Sequence, residues 1–272
     1  KAARRRFGER LALSPKWPPI TRQTGDMARL EKLRNKHAYE SLLVLGNGPS
    51  LQGFDPALLE RFASIGSNGV YRAFPEWERA TDYMIIEDVE QAEKRGKVFR
   101  QTDGPVKLAA LYTAHAIPRP WPEDLLFYNA RYTPNGGYWD DWGPLFSRDF
   151  SGCVWLGNTV TYIGLQLAWH LGAQTVYLAG VDFTYGPLEK KYGVGKLRVT
   201  DQNLADVQQC HFDPDYHKIG DVIGVPDTAK QYRAYQEAQR IFEAAGKRII
   251  NLTPNSKLDV FERADMASVL GS

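Results

Sequence analysis

Ser41-Leu42-Leu43-Val44-Leu45-Gly46-Asn47-Gly48-Pro49-Ser50 is the stretch on which the reading of this chain turns. An apolar run that ends abruptly in glycine reads as a strand buried on both faces. The glycines behind it let the backbone bend tightly and approach a ligand closely. Working outward, the same signature recurs. Residues 62–65 lead into Gly66-Ser67-Asn68-Gly69, residues 82–86 into Glu87-Asp88, and residues 175–179, the strongest strand of all, into Gly180-Val181-Asp182-Phe183. Residues 106–111 and 248–252 supply two further strands, the first weaker. Between them lie helices: residues 55–62, with Asp55 as N-cap and Pro56 at the first position; residues 159–171, stopped by Gly172; and residues 228–245, stopped by Gly246.

Strands alternating with helices imply right-handed crossovers and a parallel sheet covered on both sides. The expected fold class is therefore α/β: a Rossmann-like, mostly parallel sheet with helices on both faces, in a GT-A-like variant with a small lid. Ligands of such sheets bind beyond the carboxyl ends of the strands, so the polar clusters at 46–50, 66–69, 87–88 and 180–182 should meet in one crevice. Residues 1–40 read as a basic leader and 41–272 as a single nucleotide-binding domain. Within it, 117–152 is rich in Pro, Gly, Trp and Tyr and reads as an ordered aromatic insertion. The polar segment 184–225 reads as the lid.

Composition sets the outer bounds. The chain has 272 residues, 43% of them hydrophobic and 12% aromatic, which fits a packed globular protein rather than a disordered one. No run approaches the ~20 apolar residues of a membrane span. No signal-peptide segment opens the chain. Cys153 and Cys210 make neither a disulfide framework nor a Cys-x-x-Cys pair. The expected compartment is the cytoplasm. Net charge is only +2, yet cations cluster at Lys1 to Arg6 and again at Arg29 to Lys36. Such clusters are either a solvated surface or an electrostatic foot for an acidic membrane, giving peripheral contact at the inner membrane. No aromatic-interleaved basic motif follows, so nucleic acid is not an expected partner.

In the loop after the first strand, backbone amides, the Ser50 hydroxyl and the Asn47 amide could hold phosphate or ribose oxygens; the alternative is an ordinary turn. The loop is neither a Walker loop nor a full dinucleotide fingerprint, since position 51 is Leu and no Gly-Lys-Ser/Thr follows. Asn68 suits a base or sugar edge, or simply a turn. Asn158 and Thr159 open a helix whose N-terminus favours an anion, or merely cap it. His211-Phe-Asp-Pro-Asp-Tyr-His217 concentrates reactive side chains, and a histidine there could take a proton from a hydroxyl nucleophile. A metal site and a polar surface loop are the other readings of that segment. His170 reads as a core or boundary residue.

These residues carry a resemblance. Asn47-Gly-Pro-Ser-Leu51, residues 171–183 and Tyr216-His-Lys-Ile-Gly220 resemble glycosyltransferase family 42, the bacterial sialyltransferases. The chain is equally similar to the MptE-like domain family, which includes a pterin pyrophosphokinase and proteins linked to surface polysaccharide biosynthesis. The resemblance implies a CMP-sugar donor and a glycan acceptor. It implies that Asn47, Gly48 and Ser50 contact the donor's phosphate or ribose, Asn68 its nucleotide, and Asn158 and Thr159 its sugar or phosphate. Tyr185 and Tyr192, after Asp182, would bind the departing phosphate. The family's histidine base falls on Asp221 in this sequence, which leaves His211 and His217, with Tyr216 between them, as the alternatives.

Two enzymatic expectations follow. The first is an inverting glycosyltransferase with a histidine base and no required metal, in which Trp121, Tyr138, Trp139 and Trp142 either stack on acceptor sugars or pack the core. The second is an ATP-dependent pyrophosphokinase, which needs Mg²⁺ on carboxylates such as Asp88, Asp182 or Asp213. A non-catalytic nucleotide- or glycan-binding module is the third reading. An oligomer is compatible with all three.

Overall fold

The first strand, β1 (Ser41–Leu45), lies inside the sheet, and its side chains explain why. Leu42 and Val44 point into one apolar layer and Leu43 and Leu45 into the other, so the run is buried on both faces. We analysed a computed structural model, which describes residues 20–132 and 143–271. In chain order its helices are α1 (Ile20–Glu31), α2 (Ala57–Arg61), α3 (Phe74–Trp77), α4 (Val89–Gln101), α5 (Val160–His170), α6 (Gly186–Tyr192), α7 (Leu204–Gln208), α8 (Thr228–Ala244) and α9 (Met266–Gly271). After β1 come β2 (Ala63–Ser67), β3 (Tyr83–Ile86), β4 (Val106–Ala110), β5 (Leu125–Tyr128), β6 (Ala130–Arg131) and β7 (Val154–Trp155). Then follow β8 (Thr175–Ala179), β9 (Gly195–Arg198), β10 (Val222–Val225), β11 (Arg248–Asn251) and β12 (Glu262–Arg263).

Eight strands form one sheet in the order β12-β11-β8-β1-β2-β3-β4-β5, and every pairing in it is parallel. The chain winds outward from β1 to β5, returns through α5, and winds the other way from β8. Strand order therefore reverses between β1 and β8, the point where open α/β sheets form their binding crevice. Helix α5 crosses back over β1, β2 and β3, and its buried Ile163, Leu165 and Leu167 join α8 on one face. Leu58 and Leu59 of α2 and Phe99 of α4 cover the other. Thr159 caps α5 by accepting from Thr161 N at 3.3 Å, and Asp227 caps α8 by accepting from Lys230 N at 2.9 Å. The expected α/β architecture is present.

Several elements were not legible. Residues 125–128, inside the expected aromatic insertion, form the edge strand β5, and α4 and β12 had no clear local signature. From Ile20 onward the residues expected as a leader pack against the sheet. α1 packs on β5, Leu30 is fully buried, and the buried Asp26 accepts from Phe127 N at 3.1 Å, capping the sheet edge. His170 is a core residue, as expected: Nδ1 accepts from Phe150 N at 3.2 Å and Nε2 lies 3.0 Å from Leu30 O. The lid segment holds the antiparallel pair β9–β10, with its own cluster of Leu188, Val199, Val207, Ile223 and Val225. Trp121 packs on Phe127 at 4.7 Å between ring centroids. Tyr138, Trp139, Trp142 and the cations of residues 1–6 lie outside the described residues. No helix among the described residues is long and apolar enough to cross a membrane.

The loops after β1 and β8 are packed backbone to backbone. A Cβ at Gly46 would sit 2.2 Å from Gly180 O, and one at Gly48 would sit 2.0 Å from Asp182 Oδ2. Gly53, in the turn that follows, has nothing within 4 Å of such an atom. Gly48→Ala should therefore lower stability by about 1–3 kcal/mol, as overpacking does, whereas Gly53→Ala should leave it nearly unchanged. Thermal melts of the two variants check this, at roughly 2–4 °C per kcal/mol for a chain of this size.

Candidate functional site

A cleft opens at the carboxyl ends of β1, β2, β3 and β8, under the lid, and encloses roughly 1020 Å³ of space including its open mouth. Its floor is the Gly46–Gly48 bend. Gly46 N donates to Ala179 O at 2.8 Å and Gly48 N to Gly180 O at 2.9 Å, extending the β1–β8 pairing past the strands. Ser50 N and Oγ donate to the Asp182 carboxylate at 3.2 and 2.7 Å. The amides of Gly46, Gly48 and Ser50 are thus spent within the protein. Ser50 does not line the cleft; it braces Asp182, which does. Burial raises the Asp182 carboxyl, against the opposing pull of the Ser50 bonds.

Three asparagines face the cleft with an unmet atom. Asn47 Nδ2 donates to Ser67 O at 3.1 Å, which turns its Oδ1 away without a partner. Asn68 Oδ1 and Asn158 Nδ2 are likewise buried and unpaired. Asn68 and Asn158 stand at φ 48° and 58°, and Phe183, also in the lining, at φ 59°. A left-handed backbone is strained for a residue with a side chain, above all an aromatic one, and such strain gathers at functional sites. Thr159 and Val160 bring the N-terminus of α5 to the same wall. Among the described residues no lysine or arginine lines the cleft, and the amides and dipole of that helix end supply electropositive character there.

The histidine loop meets the glycine bend directly: Phe212 N donates to Asn47 O at 3.0 Å, and Gln52 Nε2 to Phe212 O at 2.6 Å. Tyr216 anchors it. Its hydroxyl accepts from Gly69 N at 3.1 Å, the Arg95 guanidinium lies 4.1 Å from its ring centre, and Arg95 and Lys94 donate to its carbonyl at 2.8 and 2.9 Å. His211 stacks on the Tyr216 ring at 4.0 Å, and its Nε2 lies 3.0 Å from the Tyr185 hydroxyl. Burial holds the Tyr185 phenol far above its ordinary range, so it stays protonated beside His211. Burial, with the nearby His217 and Arg95, pushes His211 well below the usual histidine range. His217 falls to about 3, through burial first and then the charges of Lys94 and Arg95. Both rings are neutral near pH 7, and the cations beside them oppose their protonation.

The carboxylates behave oppositely. Desolvation raises Glu87 to about 7, against the Tyr112 hydroxyl that donates to its Oε1. Desolvation raises Asp88 to about 6, with Glu90 adding to the rise. Asp88 Oδ1 caps α4, accepting from Gln91 N at 2.9 Å.

Of the residues singled out in sequence, Asn47, Gly48, Asn68, Asp88, Asn158, Thr159, Asp182, Tyr185, His211, Tyr216 and His217 line this one cleft. Tyr192 does not; its hydroxyl donates to Asp206 at 2.6 Å. Asp221 does not either. It is ion-paired with Lys94, accepts from Lys218 N at 2.8 Å, and stands 3.7 Å from His217 Nδ1. Asp213 pairs with Arg72 outside the lining, so of the carboxylates named for Mg²⁺ Asp88 and Asp182 share the cleft and Asp213 does not. No group of three or more His, Cys, Asp or Glu side chains among the described residues could hold a metal. Sequence reasoning missed Gln91, Gln231 and Tyr235, which reach the cleft from α4 and α8, and Glu87 as a group distinct from Asp88.

The sequence matches no family model and no curated protein. Its fold is similar to that of the MAf glycosyltransferase from Magnetospirillum magneticum AMB-1. The TM-score is 0.50 at 16% identity, over 89% of this chain and 38% of that one. This chain thus spans well under half the length of that protein, and the likeness is one of fold.

Two outcomes follow from the site's construction. Tyr216→Phe leaves the buried Gly69 N–H without an acceptor and should lower stability by about 1–3 kcal/mol, read from urea unfolding. The raised Glu87 binds a proton in the folded chain that the unfolded chain releases. Its contribution favours folding at low pH and is lost as pH rises from 4.5 toward about 7. The depressed His217 acts in reverse, favouring folding above 6.5 and less so toward about 3. Glu87→Gln should therefore gain stability relative to the unsubstituted protein as the pH is raised from 4.5 to 7, measured as the difference between their unfolding free energies.

Proposed function

We propose that this chain is a glycosyltransferase that moves a sugar of the sialic-acid class from a CMP-sugar to a glycan acceptor, inverting the anomeric centre. The observation that carries this reading is the cleft at the β1–β8 reversal, where the unpaired Asn47 Oδ1, Asn68 Oδ1 and Asn158 Nδ2 await polar partners. A nucleoside monophosphate ester offers such partners: base and ribose groups for the asparagines, and one phosphate for the N-terminus of α5. With no lysine or arginine among the described residues of the lining, the site suits one phosphate better than a triphosphate. The fold shared with a glycosyltransferase supports the same class, and the resemblance to family 42 supports CMP as the nucleotide. Asp213 stands outside the cleft that Asp88 and Asp182 line, and no group of three possible metal ligands forms among the described residues, which gives the pyrophosphokinase reading little support.

In this reading the acceptor hydroxyl attacks the anomeric carbon while the C–O bond to the CMP phosphate breaks, and the phosphate keeps the electron pair. Amides at the start of α5 stabilise the charge that develops on it. Cys210, Tyr185 and, from β10, Ile223 and Gly224 line the cleft and reduce the water within it that could compete in the attack.

Thermal-shift titration tests the reading. CMP without metal should stabilise the protein by about 2.7 kcal/mol at a hundredfold excess over its Kd. Asn68→Ala should reduce the affinity for CMP about fivefold to tenfold, as the loss of one hydrogen bond to a ligand does. Stabilisation by ATP with Mg²⁺ and none by CMP would overturn the proposal.

A further inference from the structure

We infer that Asp88, not a histidine, takes the proton from the attacking acceptor hydroxyl. The inference rests on the transferase reading above and assigns a residue within that same cleft.

The argument begins with what the histidines are doing. His211 Nε2 is occupied by the Tyr185 hydroxyl, and its ring is stacked on Tyr216. Of the His217 side chain 3% is exposed, and its Nδ1 lacks a partner, with Asp221 Oδ2 at 3.7 Å. A proton placed on either ring would meet the charges of Arg95 and Lys94, which also hold Tyr216 by its carbonyl; Asp221, itself paired with Lys94, pulls the other way at His217. These cations have no room to retreat, because the same bonds fix the loop. The pair is built as neutral hydrogen-bonding groups, not as proton acceptors.

Asp88 is built the other way. Oδ1 is fixed by the Gln91 amide, so the side chain has one orientation, while Oδ2 is turned to the lid strand β10, where a Cβ at Gly224 would lie 3.9 Å away. Gly224, like Asp88, lines the cleft. Among the groups around Asp88 the carboxylates favour its accepting a proton, while the Gln91 amide and the Lys196 cation oppose it. Glu87 precedes it, held by Tyr112 from the turn after β4 and close to Tyr128 of β5; Glu90 follows on α4, paired with Lys196 of β9; and the Tyr185 phenol faces it from the start of α6. Negative neighbours and burial make its carboxylate a stronger base than an exposed aspartate, at about 6, near the pH at which a base is both available and effective. In the step itself the acceptor O–H bond breaks, its proton goes to Asp88 Oδ2, the new O–C bond forms, and CMP departs with the electron pair of the old one.

The test uses the full chain and has two independent readouts. Carbon-13 NMR of labelled aspartate in the free protein should show one carboxyl, absent from Asp88→Asn, titrating near pH 6; titration of that carboxyl in the ordinary range would overturn the inference. With CMP-sialic acid as donor and lactose as acceptor, kcat should fall at low pH with a midpoint near 6. Asp88→Asn should lower kcat by about 10²–10⁴-fold and abolish that midpoint, with CMP affinity changed little. His217→Gln should keep the midpoint where it was. A midpoint that survives Asp88→Asn, or one erased by His217→Gln, overturns the assignment. A protein in which CMP causes no thermal shift contradicts the transferase reading instead, and the NMR titration still judges Asp88 separately.

Discussion

The close approach of the loops after β1 and β8 is the constraint on which the site depends. At Gly46 and Gly48 there is no space for a Cβ, because the backbone of Gly180 and the carboxylate of Asp182 occupy it. Parallel pairing continues past the strand ends through Gly46 N and Gly48 N, and Ser50 grips Asp182 across the gap. The two half-sheets that diverge from this point are thereby held at a fixed opening. The motif that looks like a phosphate cradle is in large part a clasp between two loops.

Once the clasp closes, the rest of the cleft follows from what it touches. Phe212 hangs from the Asn47 carbonyl, so the histidine loop is led over the bend, and Tyr216 is driven into the space left by Gly69. Arg95 and Lys94 then fix the loop from below. Arg95 and Lys94 serve the loop and not the cleft, and among the described residues the lining holds carboxylates and neutral groups but no lysine or arginine. One consequence reaches the chemistry: burial, joined by the charges that secure the loop, depresses its histidines, while the desolvated carboxylates at the end of β3 rise toward neutrality.

Titratable groups pushed apart in this way divide the labour within a site. His211 and His217 remain neutral. Glu87 and Asp88 exchange protons closer to neutral pH than exposed carboxylates do. The strained backbone at Asn68, Asn158 and Phe183 belongs to the same economy of position: each turns a polar or aromatic group toward the cleft from a loop that a relaxed backbone would aim elsewhere.

The strands β1, β2, β3, β4, β8 and β11, and the helices α5 and α8, were legible because their patterns are local: an apolar run closed by glycine, or a cap and a 3.6-residue period. So was the set of strand ends that meet in the cleft, since a parallel sheet brings all its carboxyl ends to one side. The edge strand β5 was not, because its sequence lies within a Pro- and Trp-rich stretch and pairing with β4 alone makes it a strand. Nor could local pattern separate Tyr185 from Tyr192, or show that Ser50 holds Asp182. Those outcomes depend on which side chain a distant loop presents. By itself, then, the sequence determined the inner strands of the sheet, their parallel winding and the side on which their carboxyl ends meet in a cleft. Only the tertiary structure decided which groups are charged there, because protonation depends on burial and on neighbours such as Arg95 and Glu90 that close the site from other elements.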